Sequence, residues 1–286
     1  MPVVTRPAGR MAEYLHDVLH FPIFAALTWT LWSRRRSRWL VLGAIVAAIL
    51  LVERLQPWVG REAEVRDALF GLAGAVTVGV FHAAAGTGHP RRRGAWRGIG
   101  IAVMAAVVGP LLLIVLDRWE ARRVFPLLAS FRSPLEIGRW TGQGCGLKRV
   151  RRDGQWALRL EVIRSPLYPG AFLVEAPRDW SRMQALQITL FWPGSRPREF
   201  WVRADDRPDS PPYADRVQTA FTLNPGFNRL FILRSALQRT PGGRLFNFAQ
   251  VISLGLFLGE AAPGDTLDIL EVRLILDGVR PGEPSQ

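Results

Sequence analysis

Six polar residues stand at the ends of otherwise apolar segments. Asp17 and His20 are three apart at the head of one apolar run, Glu53 and Gln56 are three apart at the end of the next, and Arg61 and Asp67 lead into a third. Positions i and i+3 of a helix are neighbours on one face, so each pair presents two polar groups together. Carboxylates and an imidazole can give and take protons, which makes His20, Glu53 and Asp67 candidate acid/base groups. A guanidinium grips phosphate or carboxylate through paired N–H donors, which makes Arg61, with Asp17 and Gln56, a candidate for binding a substrate or head group. Ionisable groups close to hydrocarbon are costly unless paired and are functional candidates for that reason. On spacing alone the same residues can also be loop charges in water, or ion pairs that close a bundle.

The elements that would position them are apolar stretches from Val18 to Trp32, Trp39 to Val52, Ala68 to Ala85 and Ile99 to Leu116. A hydrocarbon core of about 30 Å takes about 20 helical residues, and none of the four stretches carries a polar stripe. The expectation is a membrane α-helical domain of four transmembrane helices in residues 1–124. Trp29, Trp32, Trp39, Trp58, Trp96 and Trp119 fall near the expected ends, as an interfacial belt requires. Arg34, Arg35, Arg36 and Arg38 would join the first two helices, and Arg91, Arg92, Arg93 and Arg97 the last two. The positive-inside rule then makes both clusters cytoplasmic, and the N-terminus, the 53–67 loop and everything after Leu116 extracytoplasmic. No cleaved leader is expected, because Asp17 and two histidines, His16 and His20, stand at the head of the first apolar run. Gly71, Gly74 and Gly79 would permit close helix packing, and Pro110 would kink the fourth helix.

The chain has 286 residues, a net charge of +13 and a sequence pI near 11.4. Residues 1–124 hold +8 of that charge, so the densest basic runs read as contacts to anionic membrane lipid rather than to nucleic acid. The single cysteine, Cys145, excludes a disulfide framework, a CxxC redox pair and a Cys-based zinc finger. Four histidines leave little for a His-rich metal site, and neither a metal nor a cofactor is expected.

Asp17-x-x-His20-Phe21, Glu53-x-x-Gln56, Arg61 and then Asp67 before a Gly-rich helix resemble the VanZ-like family of membrane proteins over about residues 12–116. Val18 stands where that family usually has Lys, and Gly71 where Asn is common, while Gly74 matches. The resemblance implies a cell-envelope role in an inner or plasma membrane of bacterial type. The founding member of the family is associated with low-level resistance to the glycopeptide antibiotic teicoplanin, and no reaction is established.

From Ile137 onward the pattern changes to short alternating runs. Expected strands are Trp156–Val162, Ala171–Glu175, Ala185–Phe191, Phe200–Ala204, Gln218–Leu223, Asn228–Leu233, Val251–Phe257 and Thr266–Leu276. Turn-forming steps such as Tyr168-Pro169-Gly170, Asn224-Pro225-Gly226 and Pro241-Gly242-Gly243 separate them. Many short strands at this spacing indicate an all-β jelly-roll sandwich, expected over residues 125–286. The layout is similar to galactose-binding-like domains of carbohydrate-binding-module type. Sugar binding needs aromatic platforms with polar groups nearby, and the candidates are Tyr213, Trp180 and Trp156 with Asp205 and Asp206. Trp180 and Trp201 sit on strands or at strand starts and are the first expected in the core. Tyr213, in a Pro-rich loop, is the best exposed.

The reading that follows is an envelope membrane protein whose outward sandwich binds glycan, glycolipid or cell-wall polysaccharide. Two alternatives stand beside it: an enzyme acting on a lipid-linked cell-wall precursor at the outer leaflet, and an anchor or assembly subunit with no small-molecule ligand.

Overall fold

The structure is a computed structural model that describes residues 10–34, 38–55, 58, 65–164, 168–207 and 212–277. The chain separates into two compact units, Arg10–Val115 and Leu116–Gln286. Five helices build the first: α1 (Arg10–Val18), α2 (His20–Arg34), α3 (Arg38–Leu55), α4 (Val65–Gly86) and α5 (Pro90–Arg123), the last continuing into the second unit.

Helix α1 lies outside the apolar stretches and runs almost directly into α2, with Leu19 N–H bonded to the Leu15 carbonyl at 3.2 Å. The interruption at Leu19 has a local cause. Pro22 has no N–H for the Val18 carbonyl, and its ring crowds that carbonyl. Helix α5 corrects the expected second Arg-rich loop: only Thr87–His89 connect α4 to α5, and Arg91, Arg92, Arg93 and Arg97 lie on the first turns of α5. Proline at the first helical position is pre-set for the helix, and arginine is a good helix former, so the basic run propagates α5 instead of looping out.

Among the described residues two helices, α4 with 22 residues and α5 with 34, are long and apolar enough to cross a membrane. Helix α2 has 15 residues, about 22 Å at the helical rise, and the apolar part of α3 is Leu40–Val52. Helices α2 and α4 pack with backbones in contact: a Cβ on Gly74 would lie 2.2 Å from the Phe21 carbonyl oxygen, and one on Gly71 would lie 2.7 Å from the Phe24 ring. Phe24, Val41, Ile45, Ile49 and Ala75 form the small core where α2, α3 and α4 meet. His82 Nδ1 donates to the Val78 carbonyl at 3.1 Å, and the ring packs between Trp29 and Trp32, a packed imidazole.

The second unit is a β-sandwich of two antiparallel sheets. Its strands are β1 (Leu127–Ala129), β2 (Trp140–Gln143), β3 (Cys145–Arg152), β4 (Gln155–Val162), β5 (Gly170–Leu173), β6 (Met183–Trp192), β7 (Arg198–Asp205), β8 (Val217–Leu223), β9 (Gly226–Leu233), β10 (Ser253–Leu258) and β11 (Thr266–Leu276). One sheet runs β3-β4-β11-β6-β9, with β1 added to β11, and the other runs β2-β5-β10-β7-β8. Alternation places Leu158, Leu160, Leu186, Ile188, Leu190 and Ile269 of the first sheet against Leu173, Phe200, Val202, Leu254 and Leu256 of the second. The eight expected strands are all present, with ends shifted by no more than two residues. Strands β1, β2 and β3 are additional.

The first sheet buries one carboxylate on its outer face. Asp268 of β11 is 1% exposed and accepts from Arg159 Nε at 2.6 Å, Arg159 Nη2 at 2.8 Å and Arg152 Nε at 2.9 Å. Burial opposes ionisation of this carboxyl, but the two guanidiniums outweigh it and hold its pKa below the ordinary aspartate range. A depressed carboxylate contributes stability above its unfolded value, near 3.9, and loses it as pH falls through the folded value. Both arginines are about a quarter exposed, so solvent tempers the pair. Asp268→Asn is expected to cost about 1–3 kcal/mol near neutral pH and to flatten the acid side of the stability curve, read by denaturant titration between pH 3 and 7. An unchanged acid limb would remove Asp268 as its source.

Candidate functional site

Two places gather polar chemistry, one in each unit. In the helical unit Asp17 at the end of α1, His20 at the start of α2 and Asp67 in the first turn of α4 converge. His20 Nε2 lies 3.4 Å from Asp67 Oδ2, and Arg66 Nη1 lies 3.2 Å from Asp17 Oδ2. His16, one turn before His20, places Nδ1 3.8 Å from Asp17 Oδ1, and the two imidazole rings are 6.2 Å apart. Asp67 is 3% exposed, and its Oδ1 is buried with no hydrogen-bond partner among the described residues.

The sequence therefore anticipated three members of this cluster and passed over two, His16 and Arg66. Their signal was present as the i, i+4 spacing of His16 and His20 and the basic neighbour of Asp67. Glu53 lies in the last turn of α3. Its side chain, with Gln56 and Arg61, falls outside the described residues. A cleft of about 420 Å³ adjoins the cluster, with Arg10, Tyr14 and Arg66 at its polar side and Phe70, Pro110 and Leu113 among its apolar walls. Arg66 belongs to both, and its guanidinium also lies 5.4 Å from the centre of the Tyr14 ring.

In the sandwich the outer face of the five-stranded sheet follows from strand register. One row across it reads Gln143, Gly170, Phe257, Trp201 and Ala220, and the next reads Thr141, Phe172, Gly255, Arg203 and Gln218. The glycines matter here. A Cβ on Gly255 would lie 2.6 Å from the Phe257 ring and 3.0 Å from that of Phe172, so bare backbone lets both rings lie down on the sheet. Phe172 and Phe257 meet edge to face at 4.9 Å, and Tyr168 meets Trp201 in the same manner at 6.2 Å. Trp201 Nε1 is buried and has no hydrogen-bond partner among the described residues. Thr141, Tyr168, Glu199 and Thr222 are exposed on or beside this face, and Gln143, Phe172, Trp201 and Gln218 are half-buried.

Polar groups close one end of that face. Asp205 accepts from Arg203 Nε at 2.9 Å and from the Ser253 hydroxyl at 3.0 Å. Asp206 accepts from Arg244 Nη1 and Nη2 at 2.6 and 2.8 Å and from the Asn247 N–H at 2.8 Å. Burial works against the Asp206 charge, yet the Arg244 guanidinium and the Asn247 N–H keep its pKa below the usual carboxylate range. Arg244 also grips Asp215, which brings the turn carrying Tyr213 against the same network.

The expected sugar-binding residues thus lie apart. Asp205, Asp206 and Tyr213 share one end of the five-stranded sheet, and Tyr213 is well exposed. Trp156 is on the other sheet, with the Arg149 guanidinium 3.4 Å from its ring centre. Trp180 is a core residue, 1% exposed, whose indole N–H donates to the Pro177 carbonyl at 2.7 Å, so no ring face is open. Trp201, expected in the core, is instead on the outer face with Arg203 and Phe257, because the core side of β7 belongs to Phe200, Val202 and Ala204.

The chain matches no protein-family model and no curated protein. Solved structures similar to it include a family 11 carbohydrate-binding module from Clostridium thermocellum in complex with a beta-1,3-1,4-mixed-linked tetrasaccharide, at 15% identity over 52% of this chain and 94% of that one, with a TM-score of 0.39. An exo-beta-agarase is similar at 14% identity over 54% of this chain and 25% of its own, with a TM-score of 0.42. A xylan-binding domain of family 22 is similar at 16% identity over 54% and 95%, with a TM-score of 0.36.

Proposed function

We propose that this is a membrane-anchored glycan-binding protein of the cell envelope, and that the outer face of the β2-β5-β10-β7-β8 sheet receives the sugar. The observation that carries the reading is the aromatic group of Tyr168, Trp201, Phe257 and Phe172, spread over two adjacent rows of the sheet among Arg203, Gln143, Gln218 and Glu199. Apolar and aromatic walls with a few placed polar groups are what a small-molecule site needs. The Trp201 ring is half-buried and offers the sheet's outer face an aromatic surface, while its indole N–H is buried beneath that face. Helix α5 supports the membrane part, since its inner stretch between the charged ends is apolar on all sides and little covered by other helices. Four spanning helices, with the Arg-rich ends cytoplasmic and the sandwich outside, remain part of this proposal, as does kinship with VanZ-like proteins on the residue pattern of α1 to α4.

The test is a titration of the full chain in detergent against an array of envelope polysaccharides. Saturable binding is expected, weakened about tenfold or more by Trp201→Ala, as truncating a central aromatic contact does. Tyr213→Ala, beyond the end of β7, is expected to cost less. Equal affinity for wild type and Trp201→Ala, with both folded, would move the site off this face. A second reading, an enzyme acting on a lipid-linked precursor, is favoured by the histidine–aspartate cluster beside the Arg10/Arg66 cleft.

A further inference from the structure

We propose that His16, Asp17 and Asp67 form a binding site for a divalent transition-metal ion, with His20 and Arg66 as the groups that aim its carboxylates. The inference stands apart from the glycan reading, which concerns the other unit. One ligand atom from each of the three residues lies within 4.8 Å of the other two. Donors around a tetrahedral ion with bonds of about 2.1 Å stand roughly 3.4 Å apart, so small side-chain rotations close the site.

The partners of each carboxylate show which oxygen is left for the ion. His20 Nε2 approaches Asp67 Oδ2, and Asp67 Oδ1 stays buried without a partner. A buried carboxylate oxygen with nothing to bond is costly, and a cation removes that cost. Arg66 holds Asp17 Oδ2, and the other oxygen, Oδ1, faces His16 Nδ1 at 3.8 Å. Each ligating carboxylate thus has one oxygen held by a neighbouring side chain and a second left to bind, the arrangement by which outer groups orient metal ligands.

One imidazole nitrogen with two carboxylate oxygens suits Zn²⁺, Mn²⁺ or Fe²⁺ better than Ca²⁺, which takes six to eight oxygens, or Cu⁺, which prefers sulfur. Three protein ligands leave at least one coordination position open, as in metal sites that act on a substrate. His16 is half-exposed and gives the ion a way in. Arg66 lies on both the cluster and the 420 Å³ cleft. The space next to the ion therefore has guanidiniums on one side and apolar walls on the other, chemistry that fits an amphiphile with an anionic head group. The scarcity of histidine in the sequence does not exclude a metal, because this site uses one imidazole as ligand.

The experiment uses the full chain without an affinity tag, stripped with chelator in detergent and titrated with Zn²⁺ by calorimetry. One equivalent per chain is expected, with a thermal midpoint that rises on loading. Asp67→Asn and His16→Gln are each expected to abolish stoichiometric binding, and His20→Gln to weaken it about ten- to a hundredfold, as loss of an orienting partner does. His89→Gln, on the exposed α4–α5 connection, should leave binding unchanged. Should the cluster variants fail to fold, the Co²⁺-loaded wild type decides, since a visible spectrum of nitrogen and oxygen ligation is expected. Absence of a stoichiometric site in the folded wild type, or binding that survives Asp67→Asn, overturns the proposal and leaves His20–Asp67 as a side-chain contact between α2 and α4.

Discussion

Arg139→Ala is expected to destabilise the sandwich unit by about 3–5 kcal/mol, the scale for stripping one partner from a buried ion pair. The guanidinium of Arg139 closes on Asp117 with Nε at 3.1 and 3.0 Å from the two carboxylate oxygens and Nη2 at 2.6 Å from Oδ1, and Nη2 also donates to the Asp117 carbonyl at 3.1 Å. Both side chains are almost wholly buried. Asp117 lies in the part of α5 that belongs to this unit, so the pair ties the end of an apolar helix to the sheets. Local structure presents the arginine. Ser133 and Glu136 form a capping box on the turn Pro134–Arg139, and Glu136 also accepts from the N–H groups of Ser130 and Phe131, both at 2.8 Å. Arg118 adds a weaker, part-exposed contact to Glu175 at 3.3 Å. The alanine variant takes its Arg139 partner from the buried Asp117 charge, whereas Asp117→Leu with Arg139→Met removes both charges and is expected to be the more stable of the two. Denaturant unfolding of the full chain in detergent, followed by tryptophan fluorescence, measures both. A single variant within 1 kcal/mol of wild type would mean that the pair contributes nothing to holding the helix end.

What the sequence made legible depended on how local each signal was. Alternation and turn residues delivered eight strands because a half-buried strand writes its period into its own residues. Strand β3, Cys-Gly-Leu-Lys-Arg-Val-Arg-Arg, did not, because an edge strand can carry charge at both phases, which also guards the edge. Helix α1 is short and polar and was missed in a search for apolar runs. His20 and Asp67 were legible as polar residues at the mouths of helices. The partnership of Arg66 with Asp17 and of His16 with the carboxylates was not, since it arises where α4 meets α1. The aromatic face is the same case. Nothing in the sequence places Phe257 next to Trp201, or Phe172 across Gly255 from Arg203; both follow from register between strands far apart in the chain. Trp180 and Trp201 look alike as letters, yet Trp180, in the segment ahead of β6, packs into the core, while Trp201 stands on the outer side of β7.

Gly74→Ala is expected to break the packing of α2 against α4, although alanine is the better helix former by about 1 kcal/mol. The added Cβ would stand 2.2 Å from the Phe21 carbonyl oxygen and 3.1 Å from the Ala25 nitrogen, both backbone atoms of a helix that cannot move out of the way by changing a rotamer. The helices must separate, which loosens Phe24, Ile49 and Ala75 together and draws Asp67, two turns earlier on α4, away from His20. The cost is expected at or beyond the upper end of the ~1–3 kcal/mol of ordinary overpacking, read as loss of the thermal transition of the helical unit and of monodisperse elution in detergent. Gly43→Ala on α3 is the matched control, because nothing lies within 4 Å of its added Cβ. It should be neutral or stabilising by the helix-propensity difference alone. If Gly74→Ala melted with wild type while Gly43→Ala behaved as described, the close approach of α2 and α4 would be wrong, and the geometry that brings His20 to Asp67 would fall with it.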